Sequence, residues 1–136
     1  MLDQTKRGEY RFKNRGRQLL LFDGMNYGET ITPMDIDCTL EYRDRAVVLI
    51  EIKKACTAVP LGERKTLERY VRDFARAGKR AIAIVADHQV MDTREDVHVA
   101  ECIVRELYLG SELRWRPPKK YMSVRELVDS FLSLVD

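Results

Sequence analysis

Acidic and basic side chains interrupt two apolar runs between residues 31 and 54, ITPMDIDCTLEYRDRAVVLIEIKK. Side chains of an extended strand alternate faces with a period of two. Asp35 and Asp37 therefore share one side of a first expected strand, and Glu51 and Lys53 share one side of a second. Arg43-Asp44-Arg45 is read as the turn that folds the second strand back over the first. Three carboxylates and one ammonium are then expected on one sheet face, among Ile31, Ile36, Leu40, Val47, Val48, Leu49, Ile50 and Ile52. Carboxylates are costly to bury in such surroundings without a compensating cation. A hard divalent metal is one such cation. The plainer alternative is that Glu51 and Lys53 are solvated neighbours where the strand leaves the core.

The pattern of an Asp on one strand followed by Glu-x-Lys on the next resembles the PD-(D/E)xK nuclease superfamily, the restriction-endonuclease-like fold. Glu51-Ile52-Lys53 matches the second half. Asp37 is the preferred match for the first acid, because it lies 14 residues before Glu51 across a tight hairpin and follows an apolar residue. Asp35 is the alternative, since Pro33-Met34-Asp35 is a Pro-Asp pair with one residue inserted. The resemblance implies a nuclease that hydrolyses phosphodiester bonds, in DNA, with Mg²⁺ as cofactor and Mn²⁺ as its substitute. Asp37 (or Asp35) and Glu51 would be the metal ligands, and Lys53 would orient or deprotonate the attacking water or stabilise transition-state charge. The chemistry is coherent: Mg²⁺ takes oxygen ligands, retains several waters, and can serve nucleophile, phosphate and leaving oxygen together. Near a metal the Lys53 ammonium is expected to titrate lower, by like-charge repulsion. The other function class is a nuclease-like fold without catalysis, a nucleic-acid-binding or protein-interaction module in which these charges form a structural ion cluster.

Downstream, GERKTLERYVRDFARAGK reads as an amphipathic helix with Leu67, Tyr70, Val71, Phe74 and Ala75 on one face and Gly78 as its terminator. Arg64, Lys65, Arg69, Arg72 and Arg76 occupy much of the remainder. The first four are the candidate nucleic-acid contacts; a solvated face with pairs such as Glu68 with Arg72 is the plainer reading. Residues 80–86, RAIAIVA, then form a strand expected to be buried on both faces. A crossover from the Glu51 strand through the helix makes these two strands parallel in one sheet. The expected architecture is α/β, a central mixed sheet flanked by helices, matching half of the superfamily's αβββαβ core with a reduced N-terminal helix.

A phage-associated branch of that superfamily is the nearer resemblance. It is carried over residues 17–88 by FDGMNYGETITPMDID, the Glu51 strand, Pro60-Leu61-Gly62 at the helix start and Ala86-Asp87-His88. That branch implies a Gln after the helix-opening glycine, where this chain has Glu63. A carboxylate can only accept hydrogen bonds and repels phosphate unless a metal intervenes. Metal contact, compensation of the helix N-terminal charge and loss of activity are the readings left open for Glu63. Glu9 is the candidate for the acid that the superfamily carries on its N-terminal helix, although MLDQTKRGEYRFKNRGRQ is mainly basic and shows no apolar stripe. A basic arm over residues 1–16 suits phosphate contact, and a partly disordered or edge-paired terminus is the alternative. His88 follows the buried strand beside the one carrying Glu51, so it could approach the site; a strand-end histidine with a structural partner is the plainer reading.

The remaining sequence reads as scaffold. Residues 97–108 fit a strand, Leu109-Gly110-Ser111 a turn, and Leu113 to Trp115 a second strand. Ser123-Val124-Arg125-Glu126 is a capping box opening a last helix with Val124, Leu127, Val128, Phe131, Leu132 and Val135 facing inward or toward a second subunit, as in a homodimer. Trp115 among Arg114, Arg116, Lys119 and Lys120 could stack on nucleic acid, and a packing anchor is the plainer reading. At 136 residues the chain is expected to be a single domain, with the core at 17–88 and structural strands and helix at 89–136. A net charge of +2 does not argue for nucleic acid, but residues 1–18 and 61–80 are basic while 85–112 are acidic. Three cysteines without a Cys-x-x-Cys suit a reducing cytoplasm. With no long apolar run and no signal peptide, neither membrane insertion nor export is expected.

Overall fold

A computed structural model describes residues 2–6, 9–12 and 21–135, with side chains from residue 21 onward. The chain forms two compact units, Met1–Met34 and Asp35–Asp136, with a division between residues 34 and 35 that the single-domain expectation did not contain. In the first unit, β1 (Leu2–Lys6) pairs antiparallel with β2 (Glu9–Phe12), so part of the expected basic arm is a small ribbon. The Glu9 side chain lies outside the described residues, and so do residues 13–20.

The second unit is α/β. β3 (Cys38–Tyr42) and β4 (Ala46–Lys54) form the expected hairpin, in antiparallel register from Cys38–Ile50 to Tyr42–Ala46. Its turn is Arg43-Asp44-Arg45, with Arg43 and Asp44 at φ 47° and 62°. Asp tolerates this left-handed region better than most residues, and here the Asp44 N–H donates to Glu41 Oε1 at 2.5 Å. α1 (Leu61–Arg76) leads to β5 (Arg80–His88), which runs parallel to β4 from Ala46–Arg80 to Lys54–His88. β6 (Ile103–Leu109) returns antiparallel to β5, and β7 (Trp115–Arg116) pairs antiparallel with β6. The sheet order is β3-β4-β5-β6-β7. A central mixed sheet flanked by helices is thus the architecture, α2 (Val124–Leu132) being the second helix.

Helix ends follow local rules. Gly78 sits at φ 89° beyond α1, with Lys79 N–H donating to Phe74 O and Gly78 N–H to Ala75 O. These two bonds make a Schellman termination. At α2, the Ser123 hydroxyl accepts from the Glu126 N–H at 3.1 Å, and the Glu126 carboxylate accepts from the Ser123 N–H at 3.1 Å, completing the capping box.

Strand alternation gives the sheet two different faces. Val48 and Ile50 from β4, Ile82 and Ile84 from β5, and Val104 and Leu107 from β6 pack with Val124, Val128 and Phe131 of α2. Val47, Leu49, Ala81, Ala83 and Val85 point the other way, where α1 buries Leu67 and Val71. Gly110 lets the end of β6 come close to α1: a Cβ there would stand 3.0 Å from Ala75 Cβ.

Several expectations are corrected. Asp35 and Asp37 do not lie within the first strand, which begins only at Cys38. Tyr70 is 45% exposed rather than on the buried stripe of α1, where Leu67 and Val71 are the buried residues. The expected strand over 97–108 opens with a 3₁₀ turn at Val99–Glu101. Glu68 accepts from Trp115 and Arg72 donates to Asp73, in place of the anticipated Glu68–Arg72 pair. Among the described residues, no helix is long and apolar enough to cross a membrane.

Candidate active site

The alternation that sends Ile50 and Ile52 toward α2 sends Glu51 and Lys53 toward α1, at the C-terminal end of β4. Glu51 is 4% exposed and is the single buried charged side chain among the described residues. It is reached by Asp37 from the chain just ahead of β3. Asp37 Oδ2 accepts from the Ile52 N–H at 2.7 Å, immediately past the last β3–β4 pair, so a side-chain oxygen takes a ladder donor that a longer β3 would have met with its backbone. Asp37 is exposed at this sheet edge, and the bond to Ile52 is what holds its carboxylate against β4. Asp35, two residues earlier, is exposed as well.

The Asp37 and Glu51 carboxyl groups are hydrogen-bond neighbours. Burial first, then the hydrogen bond and charge of Asp37 and the charge of Glu63, push the Glu51 carboxyl up to about 8, with Lys53 opposing them. At neutral pH the balance therefore favours the protonated form of Glu51. Lys53 Nζ lies 2.9 Å from Glu63 Oε2, a carboxylate in the first turn of α1. Burial lowers the Lys53 ammonium, but the contact with Glu63 and the charges of Glu63, Glu51 and Asp37 outweigh it, and the net shift is upward. The carboxylates alone thus work against the depressed lysine expected beside a metal. Glu63 also places negative charge near the helix N-terminus, which is favourable in its own right.

The other expected contributors are distributed around this group. Arg64 pairs with Glu106 on β6 and lies over the Trp115 ring, 4.7 Å from its centroid. The Trp115 Nε1–H donates to Glu68 at 2.8 Å, and its ring lies 5.2 Å from that of Tyr108. Trp115 is thus the packing anchor that its sequence context indicated, fixing the first turns of α1 to the sheet edge. Lys65 and Arg69 are exposed, and Arg72 is half-buried. The His88 Nδ1 accepts from the Val90 N–H at 3.2 Å, and its carbonyl accepts from the Ala55 N–H, which is the structural role of a strand-end histidine. Sequence reasoning did not anticipate Glu106 as the anchor of Arg64, because the two lie 42 residues apart and meet only through where α1 crosses the sheet.

No family model, curated protein or solved structure matches this chain. What the site can do follows from its own donor set. Glu51 Oε2 is buried with no hydrogen-bond partner among the described residues. An unpaired buried oxygen is costly, and a cation is one species that would satisfy it. No cluster of three or more Asp, Glu, His or Cys side chains able to hold a metal occurs among the described residues. Mg²⁺ does not need one, because it binds through one or two carboxylates, waters and substrate oxygens. Asp37 and Glu51 fit that requirement as a pair.

Proposed function

We propose that this protein is a divalent-metal-dependent nuclease of the PD-(D/E)xK type acting on DNA, with Mg²⁺ as the ion and Mn²⁺ able to replace it. The observation that carries the reading is the buried Glu51 carboxyl, its Oε2 unpartnered and its neighbour a second acid, Asp37, delivered from outside the strand. Asp37 and Glu51 would hold the ion, which would displace the proton from Glu51. When bound, Mg²⁺ would supply a nucleophilic water at neutral pH and charge stabilisation at the phosphate. Lys53, on the same face, is the group to orient that water, and Glu63 fixes the lysine at 2.9 Å. The polar end of the site lies at the C-terminal ends of parallel β4 and β5, where open α/β sheets commonly bind ligands.

One observation favours a second reading, a nuclease-like module that binds nucleic acid or protein without catalysis: Lys53 is already satisfied by Glu63. Incubation of plasmid and oligonucleotide DNA with Mg²⁺ or Mn²⁺ separates the two. The nuclease reading expects metal-dependent cleavage that disappears in Glu51→Gln while the circular dichroism spectrum is retained, and that falls by roughly 10²–10⁴-fold in Lys53→Met, the usual range for a proton-transfer group. Cleavage by Glu51→Gln at the wild-type rate refutes the assignment.

A further inference from the structure

Across their paired stretch, Ile82–Asp87 against Ile103–Leu109, β6 carries one residue more than β5. The β5–β6 register runs Ile84–Leu107 and Val85–Glu106, then steps to Ala86–Val104, which leaves Arg105 as the inserted residue of a β-bulge. A bulge interrupts alternation and re-aims a side chain. Val104 and Leu107 both remain in the core on the α2 side. Arg105 and Glu106, consecutive in sequence, both reach the α1 side, where Glu106 meets Arg64 and Arg105 meets Asp87. Asp87 is the register partner of Lys53, so the Asp87–Arg105 pair stands about one strand spacing, ~4.8 Å, across the sheet from the candidate active site.

The geometry of the pair leaves a functional edge. Arg105 Nε donates to both Asp87 oxygens, at 3.0 and 3.2 Å, and Nη2 donates to Oδ1 at 2.5 Å. Every one of these contacts uses the Nε–Nη2 side. Nη1 remains outside the pair, and both side chains are 25% exposed. A planar guanidinium fixed along one edge presents the other in a set orientation, and that edge matches two phosphate oxygens. Partly exposed ion pairs contribute little stability, a median of about 0–1 kcal/mol, so stability alone does not account for a ladder broken to expose this one.

We propose that Arg105, oriented by Asp87, is a phosphate-binding subsite beside the Glu51–Lys53 site, engaging the phosphate next to the one cleaved. Its purpose rests on the nuclease reading, but its test does not. Binding of short fluorescent DNA duplexes and single strands is measured by anisotropy in EDTA, over roughly 50–200 mM salt, where each phosphate contact contributes close to one unit of log–log slope. Arg105→Ala is expected to reduce the salt slope by about 1. Arg105→Lys is expected to keep the slope but bind more weakly, because charge is retained and the two-pronged contact is not. Arg125→Ala, which removes an exposed α2 pair with Asp129, should leave slope and affinity at wild-type values.

Strands with a 5′-phosphate and with a 5′-hydroxyl separate the two sources of the ligand: an Arg105 effect confined to phosphorylated ends assigns a terminal phosphate, and an equal effect on both assigns an internal phosphodiester. An unchanged slope in both Arg105 variants, or no DNA binding by the wild type at the lowest salt, overturns the subsite. Metal-dependent cleavage sensitive to Glu51→Gln alongside an unchanged slope removes the subsite alone. A reduced slope without any cleavage retains the subsite and removes the nuclease chemistry.

Discussion

The two faces of the five-stranded sheet use the same strands differently. Toward α2, the side chains contributed by β4, β5 and β6 to the buried core are apolar. Toward α1, apolar packing around Leu67 and Val71 gives way, at the C-terminal ends of β4 and β5, to Glu51, Lys53 and Asp87, joined by Glu63, Arg64, Arg105 and Glu106. Adjacent residues on one strand thus serve opposite ends: Ile50 is almost fully buried against α2, and Glu51 is buried almost as deeply with an unpartnered oxygen. One face contributes cohesion, and the other gives some of it up where charges converge.

Truncating the first of these neighbours breaks the comparison most directly. Ile50→Ala is expected to cost about 2–5 kcal/mol, the range for deleting a buried aliphatic side chain, as read by urea denaturation. Glu51→Gln, one residue away, is expected to leave stability at pH 8 equal or higher, since it removes a carboxylate whose ionised form is disfavoured in the fold. Equal losses from the two substitutions would sink the idea that the faces differ in kind.

Next comes the pH dependence of stability. Glu51 holds its proton to about pH 8 in the folded chain, against an ordinary value of 4.5. Between those values the folded state binds more protons than the unfolded one, so the Glu51 contribution makes stability fall as pH rises from about 4.5 to about 8. Denaturation midpoints across that window should show the slope in the wild type and a flatter line in Glu51→Gln. An unchanged slope in the variant would assign it to other groups. The smallest expected effect lies on the cohesive side: Ser123→Ala removes the hydroxyl half of the α2 capping box and should lower the denaturation free energy by about 1 kcal/mol. Loss of cooperative unfolding in that variant would mean that α2 is more than a packed lid.

Much of this was legible because it is local. The hairpin turn at 43–45, the terminator Gly78, the Ser123 capping box and the buried strand through Ile84 follow from residue type and periodicity. The convergence of Glu51 with Lys53 on one face was legible for the same reason, period two within one strand. Asp37 was singled out from the sequence, but its route to the site was misread as strand alternation; it arrives from an extended segment by bonding the Ile52 N–H. The Glu68–Arg72 pair failed because Glu68 is taken by a tertiary partner, Trp115, and Arg72 by its immediate chain neighbour, Asp73.

By itself the sequence determined the order of helices and strands, the hairpin turn and helix ends, and that Glu51 and Lys53 share a strand face. Those are consequences of backbone geometry acting over a few residues. The tertiary structure decided that Glu63 belongs to Lys53, that Arg64 belongs to Glu106 and Trp115, and that a single inserted residue turns Arg105 toward Asp87. Such partnerships join residues far apart in the chain, and they are fixed by strand register and by where α1 lies across the sheet, neither of which has a period that a sequence can display.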